Sequence, residues 1–365
     1  MPIPLPTGPL APPMLGLHAV GNHIETADGT VVSLRGVNRS GTEYKCVQSQ
    51  TTIFDGPFDE PSIQAMVAWK INAVRIPLNE ACWLATNGAT APTVTGPAYK
   101  AAIVAYVALL HKYNLVPIVE LHWVGPGTSA ADRQQPMPDA NSVLFWADVA
   151  QTFAGDLGVV FDLYNEPFPS GNADSDAAWT CWRDGCTTRQ SVPSGGTAMM
   201  YDAVGMQRLV QAVRVDGGAT NLILLGGVQY SNALTQFLKY MPVDTLSPPN
   251  IGASWHIYNF NACVTIDCWS QAPAAVAALV PLVATEIGEN DCMTGPYLTA
   301  LMQWLDGNGD GYLAWSWNAF GACTPAPPMT QGGRPWSLIT DYVTGAPNGG
   351  FAQGFHDHVS EVAGF

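Results

Sequence analysis

The sequence predicts an α/β fold, a closed (β/α)₈ barrel preceded by a short β-hairpin. Eight short, nearly unbroken apolar runs are spaced along the chain, and a segment of helical spacing follows each. Such runs suit strands buried on both faces, as in a parallel sheet covered by helices. An open doubly wound sheet is the rival, but it carries a GxGxxG turn after its first strand, and LRGVNRSG is not one.

Taken in order, residues 1–16 hold six prolines and read as an extended arm, and 17–365 as one barrel domain. The opening lacks the basic start and continuous apolar centre of a secretion signal. In HIETADGTVVSLRG the Asp28-Gly29 pair lies between two alternating stretches, which predicts a hairpin closing the barrel's bottom. Strands are predicted at 32–37, 72–77, 116–122, 159–164, 221–228, 251–257, 282–287 and 311–317. Helices are predicted at 61–70, 97–113, 141–153, 198–215, 232–240, 274–279, 296–305 and 351–359.

The 365 residues include 14 basic and 29 acidic side chains, a formal charge of −15, which excludes nucleic acid as a partner on charge grounds. An apolar content of 47% excludes a disordered chain. No run approaches the roughly 20 apolar residues that span a bilayer, so no membrane partner is expected. The eight cysteines include no CxxC, which argues against zinc and for disulfides in a secreted protein. Cys46 and Cys82 follow the first two predicted strands and Cys292 and Cys323 the last two, so neighbouring loops bring each pair together. Cys181 with Cys186, and Cys263 with Cys268, close local loops.

Barrel chemistry gathers where strands end. Those positions hold Asn38, Arg75, His122, Asn165, Glu166, His256, Tyr258, Glu286 and Trp315. Each alone has an ordinary structural explanation: Arg75 as an ion-pair partner, His122 and His256 as core histidines, Asn38 and Asn165 as turn residues. Together they point to a site, because buried ionisable groups are costly without partners. Glu166 in FDLYNEPF and Glu286 in VATEIGEN lie far apart in sequence, yet barrel closure faces them across one cleft. Opposed carboxylates suit glycosidic cleavage, one protonated to assist the leaving oxygen and one ionised to meet positive charge on the sugar carbon. Such chemistry needs no metal and no cofactor.

The motifs RIP, LHW, NEP, WHIY, TEIGE and AWSWN, in this order on successive predicted strands, resemble glycoside hydrolase family 5, which includes many cellulases and mannanases. The resemblance spans roughly the whole barrel. It implies a retaining double displacement with Glu166 as acid/base and Glu286 as nucleophile. It further implies that Asn165 holds the sugar 2-hydroxyl and that Arg75 and Tyr258 support the nucleophile. His122 and His256 would line the reacting sugar, with Trp315 beneath it. Strand alternation independently puts His256 and Tyr258 on one face. The expected activity is an endo-β-1,4-glucanase acting on β-linked oligo- or polysaccharide as a monomer. A β-mannanase, an exo-β-glucosidase and a transglycosylase use the same machinery, and the loop GVNRSGTEYKC departs from the Asn-aromatic-Phe-Gly loop frequent in cellulases of this family. A non-catalytic carbohydrate-binding barrel would require loss of one carboxylate, and both are present.

Tryptophans 83, 123, 179, 182, 269, 315, 317 and 336 fall after predicted strands, where aromatic faces suit pyranose rings. Glu289 lies three residues beyond Glu286 but off the strand. The DGNGDG of 306–311 imitates a calcium loop, yet Trp317 stands where the twelfth-position Glu belongs, so it reads as the turn into the eighth strand. Asn38-Arg39-Ser40 is a formal glycosylation acceptor whose place at a strand end argues for a site role. No GxSxG, HExxH or GxxxxGK[ST] is present.

Overall fold

A computed structural model describes residues 16–293, 295–324 and 336–362. The expected arm therefore lies, apart from Gly16, outside the described residues. Eight parallel strands close into a barrel: Arg35–Asn38, Ala73–Asn79, Val116–Trp123, Val160–Asp162, Ile223–Gly226, Ile251–Tyr258, Leu282–Gly288 and Gly311–Ala314. Each pairs with the next and the last with the first. All the predicted strands are present, several of them shorter than the apolar runs that announced them.

Inward alternation fills the lower barrel with Leu34, Ala73, Val116, Ile118, Val160, Leu222, Leu224, Val283 and Leu313. The predicted hairpin gains a strand, His18–Val20, pairing antiparallel with His23–Glu25, which pairs with Val31–Val32. Leu17, Ala19 and Ile24 of this small sheet join the apolar cluster and plug the bottom. Helices pack a second apolar layer outside. Asp139 and Ser142 form a capping box that starts Ala140–Phe153, satisfying end N–H groups that the helix itself leaves open.

Two predicted helices are corrected. Within 198–215, Met200–Val204 is a strand paired antiparallel with Gly185–Arg189, and helix begins only at Met206. The Tyr201 hydroxyl, bonded to both Met137 N and Met137 O, fixes the ribbon. At Gly205 any Cβ would lie 2.2 Å from Arg183 O, so the exit requires glycine. Within 232–240 only Phe237–Tyr240 is helical, because the Asn232 side-chain amide donates to His256 O and its own carbonyl accepts from Trp255 Nε1. The helix Pro296–Asn308 runs into DGNGDG, and Gly309 at φ 77° caps it. Asp306 is thereby placed on the helix, where Arg35 and His358 hold it, rather than in a calcium loop.

Disulfides join Cys46 to Cys82, Cys181 to Cys186, Cys263 to Cys268 and Cys292 to Cys323. Among the described residues no helix is long and apolar enough to cross a membrane.

Candidate active site

The alternation that places apolar side chains low in the barrel continues upward into polar ones. On the second strand Ala73 gives way to Arg75, on the third Val116 and Ile118 to Glu120 and His122, and on the fourth Val160 to Asp162. On the sixth strand Ser254, His256 and Tyr258 share that face. Strand seven departs from simple alternation. Between Ser254 and His256 on one side, and Val283 and Glu286 on the other, the register slips by one residue. The bulge turns two consecutive side chains, Thr285 and Glu286, into the barrel, as bulges beside active sites do.

Arg75, fully buried, is the hub. Its Nε donates to Asp162 Oδ2 at 2.9 Å, and its Nη1 to Glu286 Oε1 at 2.9 Å and Asn38 Oδ1 at 3.0 Å. Its Nη2 donates to Asn165 Oδ1 at 3.0 Å and lies 3.5 Å from Glu120 Oε2. One guanidinium thus serves three carboxyl groups, a charge imbalance that retains protons. Burial lifts Glu120 to about 8 and Asp162 to about 7, with Arg75 opposing both rises. The orphaned oxygens Glu120 Oε1 and Asp162 Oδ1 are where those protons fit.

Glu286 receives a second donor, the Tyr258 hydroxyl, at 2.5 Å from Oε2. Burial raises Glu286, while Arg75, His122 and Tyr258 push it back toward the charged form. Glu166, after the fourth strand, is partly open to solvent and lies 3.0 Å from His256 Nδ1 through Oε1. Burial and then the nearby Glu286 charge hold Glu166 well above the usual carboxylate range. His256 is pushed well below its ordinary value by burial and the positive Arg75, so its imidazole is neutral. The two carboxyl groups therefore differ: Glu286 is tied to a cation and a phenol, and Glu166 to a neutral ring.

His122 is held down at about 4, chiefly by burial, and its Nδ1 bonds Glu120 Oε2 at 2.9 Å. Its ring stacks on Trp315 with centroids 5.4 Å apart. Asn165 Nδ2 donates to Gln134 Oε1 at 2.9 Å, and Gln134 Nε2 donates to Glu166 O at 2.7 Å. Tyr230 stacks on Phe168 at 4.5 Å, and burial, then the nearby Glu166 carboxyl, raises its hydroxyl.

Of the predicted site residues, Asn38 is fully buried and donates to Thr285 O and Ala314 O, so it braces Arg75 and offers no nitrogen for glycosylation. Glu289 accepts from Leu298 N and Gly295 N at the start of Pro296–Asn308, a helix-capping role away from the cleft. Trp83, Trp179, Trp182, Trp269 and Trp317 are core, whereas Trp123, Trp315 and Trp336 are partly exposed. Sequence reading missed Glu120, Asp162, Ser254 and Thr285, which alternation from Val116 and Val160 would have found for the first two. Gln134 and Tyr230, on loops, carried no signal.

Glu166, His256 and Glu286 bring ligand-type atoms within 4.8 Å of one another. A cation fits poorly among them, since Arg75 and Tyr258 already occupy both oxygens of Glu286 and Arg75 would repel it.

The profile of the Cellulase (glycosyl hydrolase family 5) family matches residues 27–321. A cellulase from a Thermoanaerobacterium species is 21% identical over 85% of this chain and 73% of its own length. A mannan endo-1,4-beta-mannosidase from Streptomyces lividans is 24% identical over 89% of this chain and 72% of its own. Among solved structures, a beta-glucanase from Saccharophagus degradans superimposes with TM-score 0.66 at 17% identity, covering 99% of this chain and 98% of that one. A beta-mannanase from Streptomyces thermolilacinus gives 0.63 at 18% identity, covering 95% and 97%. The matched span opens at the hairpin turn and closes beyond the eighth strand, taking in the whole barrel and its polar layer: the chain belongs to glycosyl hydrolase family 5 and is a glycoside hydrolase.

Proposed function

We propose that the enzyme is a retaining β-glycosidase in which Glu286 is the nucleophile and Glu166 the acid/base. The carrying observation is the spacing: carboxylate oxygens of Glu166 and Glu286 lie within 4.8 Å. Retention uses carboxyl groups about 5–5.5 Å apart, whereas inversion needs room for a water between them. Their unequal surroundings support the division of labour. Arg75 and Tyr258 stabilise an ionised Glu286, while Glu166 keeps its proton.

In the first step Glu286 attacks the anomeric carbon, the glycosidic C–O bond breaks, and the proton of Glu166 passes to the departing oxygen. In the second, Glu166 takes a proton from water, whose oxygen attacks the same carbon and frees Glu286. The remaining side-chain proton of Asn165, its oxygen being held by Arg75 and one N–H by Gln134, is free for the sugar 2-hydroxyl. Trp315 and His122 form one wall of the subsite, and Tyr230 with Phe168 the wall beside Glu166.

The substrate reading is an endo-β-1,4-glucanase, supported by the cellulase profile and the cellulase relative. The 24% identity to a mannan endo-1,4-beta-mannosidase favours β-mannanase as the second reading. Four disulfides suit an oxidising, extracellular setting. Glu286→Ala and Glu166→Ala are each expected to lower kcat by at least about 10³-fold while the folded spectrum persists. ¹H NMR of cellopentaose hydrolysis should show the β-anomer first; the α-anomer first would rule out retention. Faster release of reducing ends from mannan than from carboxymethyl cellulose would select the second reading.

A further inference from the structure

Beneath the two carboxylates lie two hydroxyl groups to which the proposed reaction gives no task. Ser254 on the sixth strand and Thr285 on the seventh are fully buried, in a layer where every neighbour has a role. Ser254 Oγ lies 3.4 Å from Asp162 Oδ2 and bonds Thr285 Oγ1 closely. Thr285 Oγ1 is 3.1 Å from His256 Nε2, and His256 Nδ1 is 3.0 Å from Glu166 Oε1. The contacts form an unbroken line from Asp162, which Arg75 holds, to Glu166.

The line has a direction. Asp162 Oδ2 already accepts from Arg75 Nε while Oδ1 has no partner, so a proton on this carboxyl sits on Oδ1, and Ser254 donates to Oδ2. A hydroxyl has one hydrogen. With that of Ser254 spent on Asp162, the bond between Ser254 and Thr285 must be donated by Thr285. With that of Thr285 spent in turn, Nε2 of His256 must be the donor at the next contact. A neutral imidazole with hydrogen on Nε2 presents only a lone pair at Nδ1, so Glu166 Oε1 must supply the proton there. Run the other way, the line would leave a Ser254 lone pair facing Asp162 Oδ2 between two fully buried side chains, acceptor against acceptor.

We propose that Asp162, Ser254, Thr285 and His256 form a one-way hydrogen-bond chain that fixes the His256 tautomer and so keeps the catalytic proton on Glu166, with Ser254 and Thr285 as positioning residues. The inference rests on Glu166 being the acid/base. It accounts for both of that residue's tasks. When Glu166 gives its proton to the leaving oxygen, its carboxylate is left facing the Nδ1 lone pair. The repulsion ends when Glu166 takes a proton from the attacking water, so the chain strengthens the base needed in the second step. The bulge at Thr285 and Glu286 is what makes this possible, since without it the chain and the nucleophile could not both face inward from one strand.

Other groups facing Glu166 stay in place when the chain is cut: Glu286, Arg75, Glu120, Tyr230 and Tyr258. Those facing His256, namely Arg75, His122 and Glu286, also remain. Freed from the chain, His256 can move its hydrogen to Nδ1 and donate to an ionised Glu166, which lowers the pKa of that carboxyl.

The test is the pH profile of kcat/KM on a defined cello-oligosaccharide for Ser254→Ala and Thr285→Val. The basic limb should move down by about half a unit to one unit, the worth of one neutral hydrogen bond. The acidic limb, governed by Glu286, should stay, and Thr285→Ser should restore the parent profile. Should Thr285→Val fold poorly, Ser254→Ala removes a single oxygen and reads the same limb. Nitrogen-15 shifts of His256 in the parent should report hydrogen on Nε2. An unmoved basic limb in both variants, or hydrogen on Nδ1, overturns the chain while leaving the acid/base assignment intact. Undiminished turnover in Glu166→Gln sinks that assignment itself and the chain with it.

Discussion

The lower and upper halves of the barrel interior are built by the same strands in the same alternation, and they solve opposite problems. Below, Val116, Ile118, Val160 and Leu224 meet the hairpin residues Leu17, Ala19 and Ile24, and stability comes from apolar surface removed from water. Above, the next inward positions on those strands are Glu120, His122 and Asp162, equally buried, and the energy of the layer depends on charge and hydrogen bonding. The contrast teaches that burial alone does not separate packing from function in this molecule. What separates them is whether a buried polar group has been given partners.

The upper layer should fail at its hub. Arg75→Ala leaves Glu286, Asp162, Asn38 and Asn165 facing one another without a donor between them. Removing one partner of a buried ion pair costs about 3–5 kcal/mol, and urea unfolding at pH 7 should show a loss of that order with activity abolished. Arg75→Lys should recover little of either, because an ammonium lacks the planar fork that reaches Asp162 and Glu286 at once. A lysine variant with parental stability would show that the layer needs a charge and not this geometry.

The same contrast explains what the sequence disclosed. The eight strands were legible because both faces of each are buried, leaving long apolar runs, and the polar residues at their ends stood out against them. Glu120 and Asp162 escaped because they sit one inward position below those ends, where a search of strand termini does not look. Ser254 and Thr285 are small polar residues of the kind found in any strand, and the bulge that turns Thr285 inward depends on pairing with a neighbouring strand, which no local pattern encodes. The strand Met200–Val204 was hidden for the same reason: its partner Gly185–Arg189 and its anchor at Met137 are tertiary facts that override helical spacing. Loop tryptophans misled in the other direction. Trp179 and Trp182 follow a strand yet pack edge to face in the core at 5.2 Å, so an aromatic residue near a cleft is not thereby in it.

A purely apolar lower layer should respond to cavities and not to chemistry. Ile118→Ala removes buried methyl groups beneath the polar layer and is expected to cost about 2–4 kcal/mol by urea unfolding. Its kcat on cello-oligosaccharide should stay within about twofold of the parent at temperatures where the variant is folded, since Ile118, although paired with Arg75 across the ladder, packs in the apolar cluster and its side chain offers the site no hydrogen bond or charge. A tenfold fall in kcat would mean that packing below tunes the geometry above, and the division between the halves would dissolve.

The smallest predicted effect comes from a place where the lower region breaks its own rule. Asp310, just before the eighth strand, is 3% exposed beside Asn22, Ile24, Val32 and Pro281, and its Oδ2 has no hydrogen-bond partner among the described residues. Burial, with no compensating cation, raises it to about 7. A carboxyl whose folded value is raised favours folding while it is protonated, so its contribution is complete below the unfolded value near 3.8 and is lost as pH rises toward and through 7. Asp310→Asn supplies a neutral group of the same shape at every pH. Its unfolding free energy should match the parent near pH 4 and exceed it by on the order of 1–2 kcal/mol at pH 8, with kcat unchanged. Around Arg75 the same kind of substitution at Asp162 should instead lower activity, because there a carboxyl oxygen accepts from both the guanidinium and Ser254. Equal stability of Asp310→Asn and the parent at pH 8 would mean that Asp310 has found a donor or water after all, and that a buried carboxyl at the bottom of this barrel is as well provided for as those at the top.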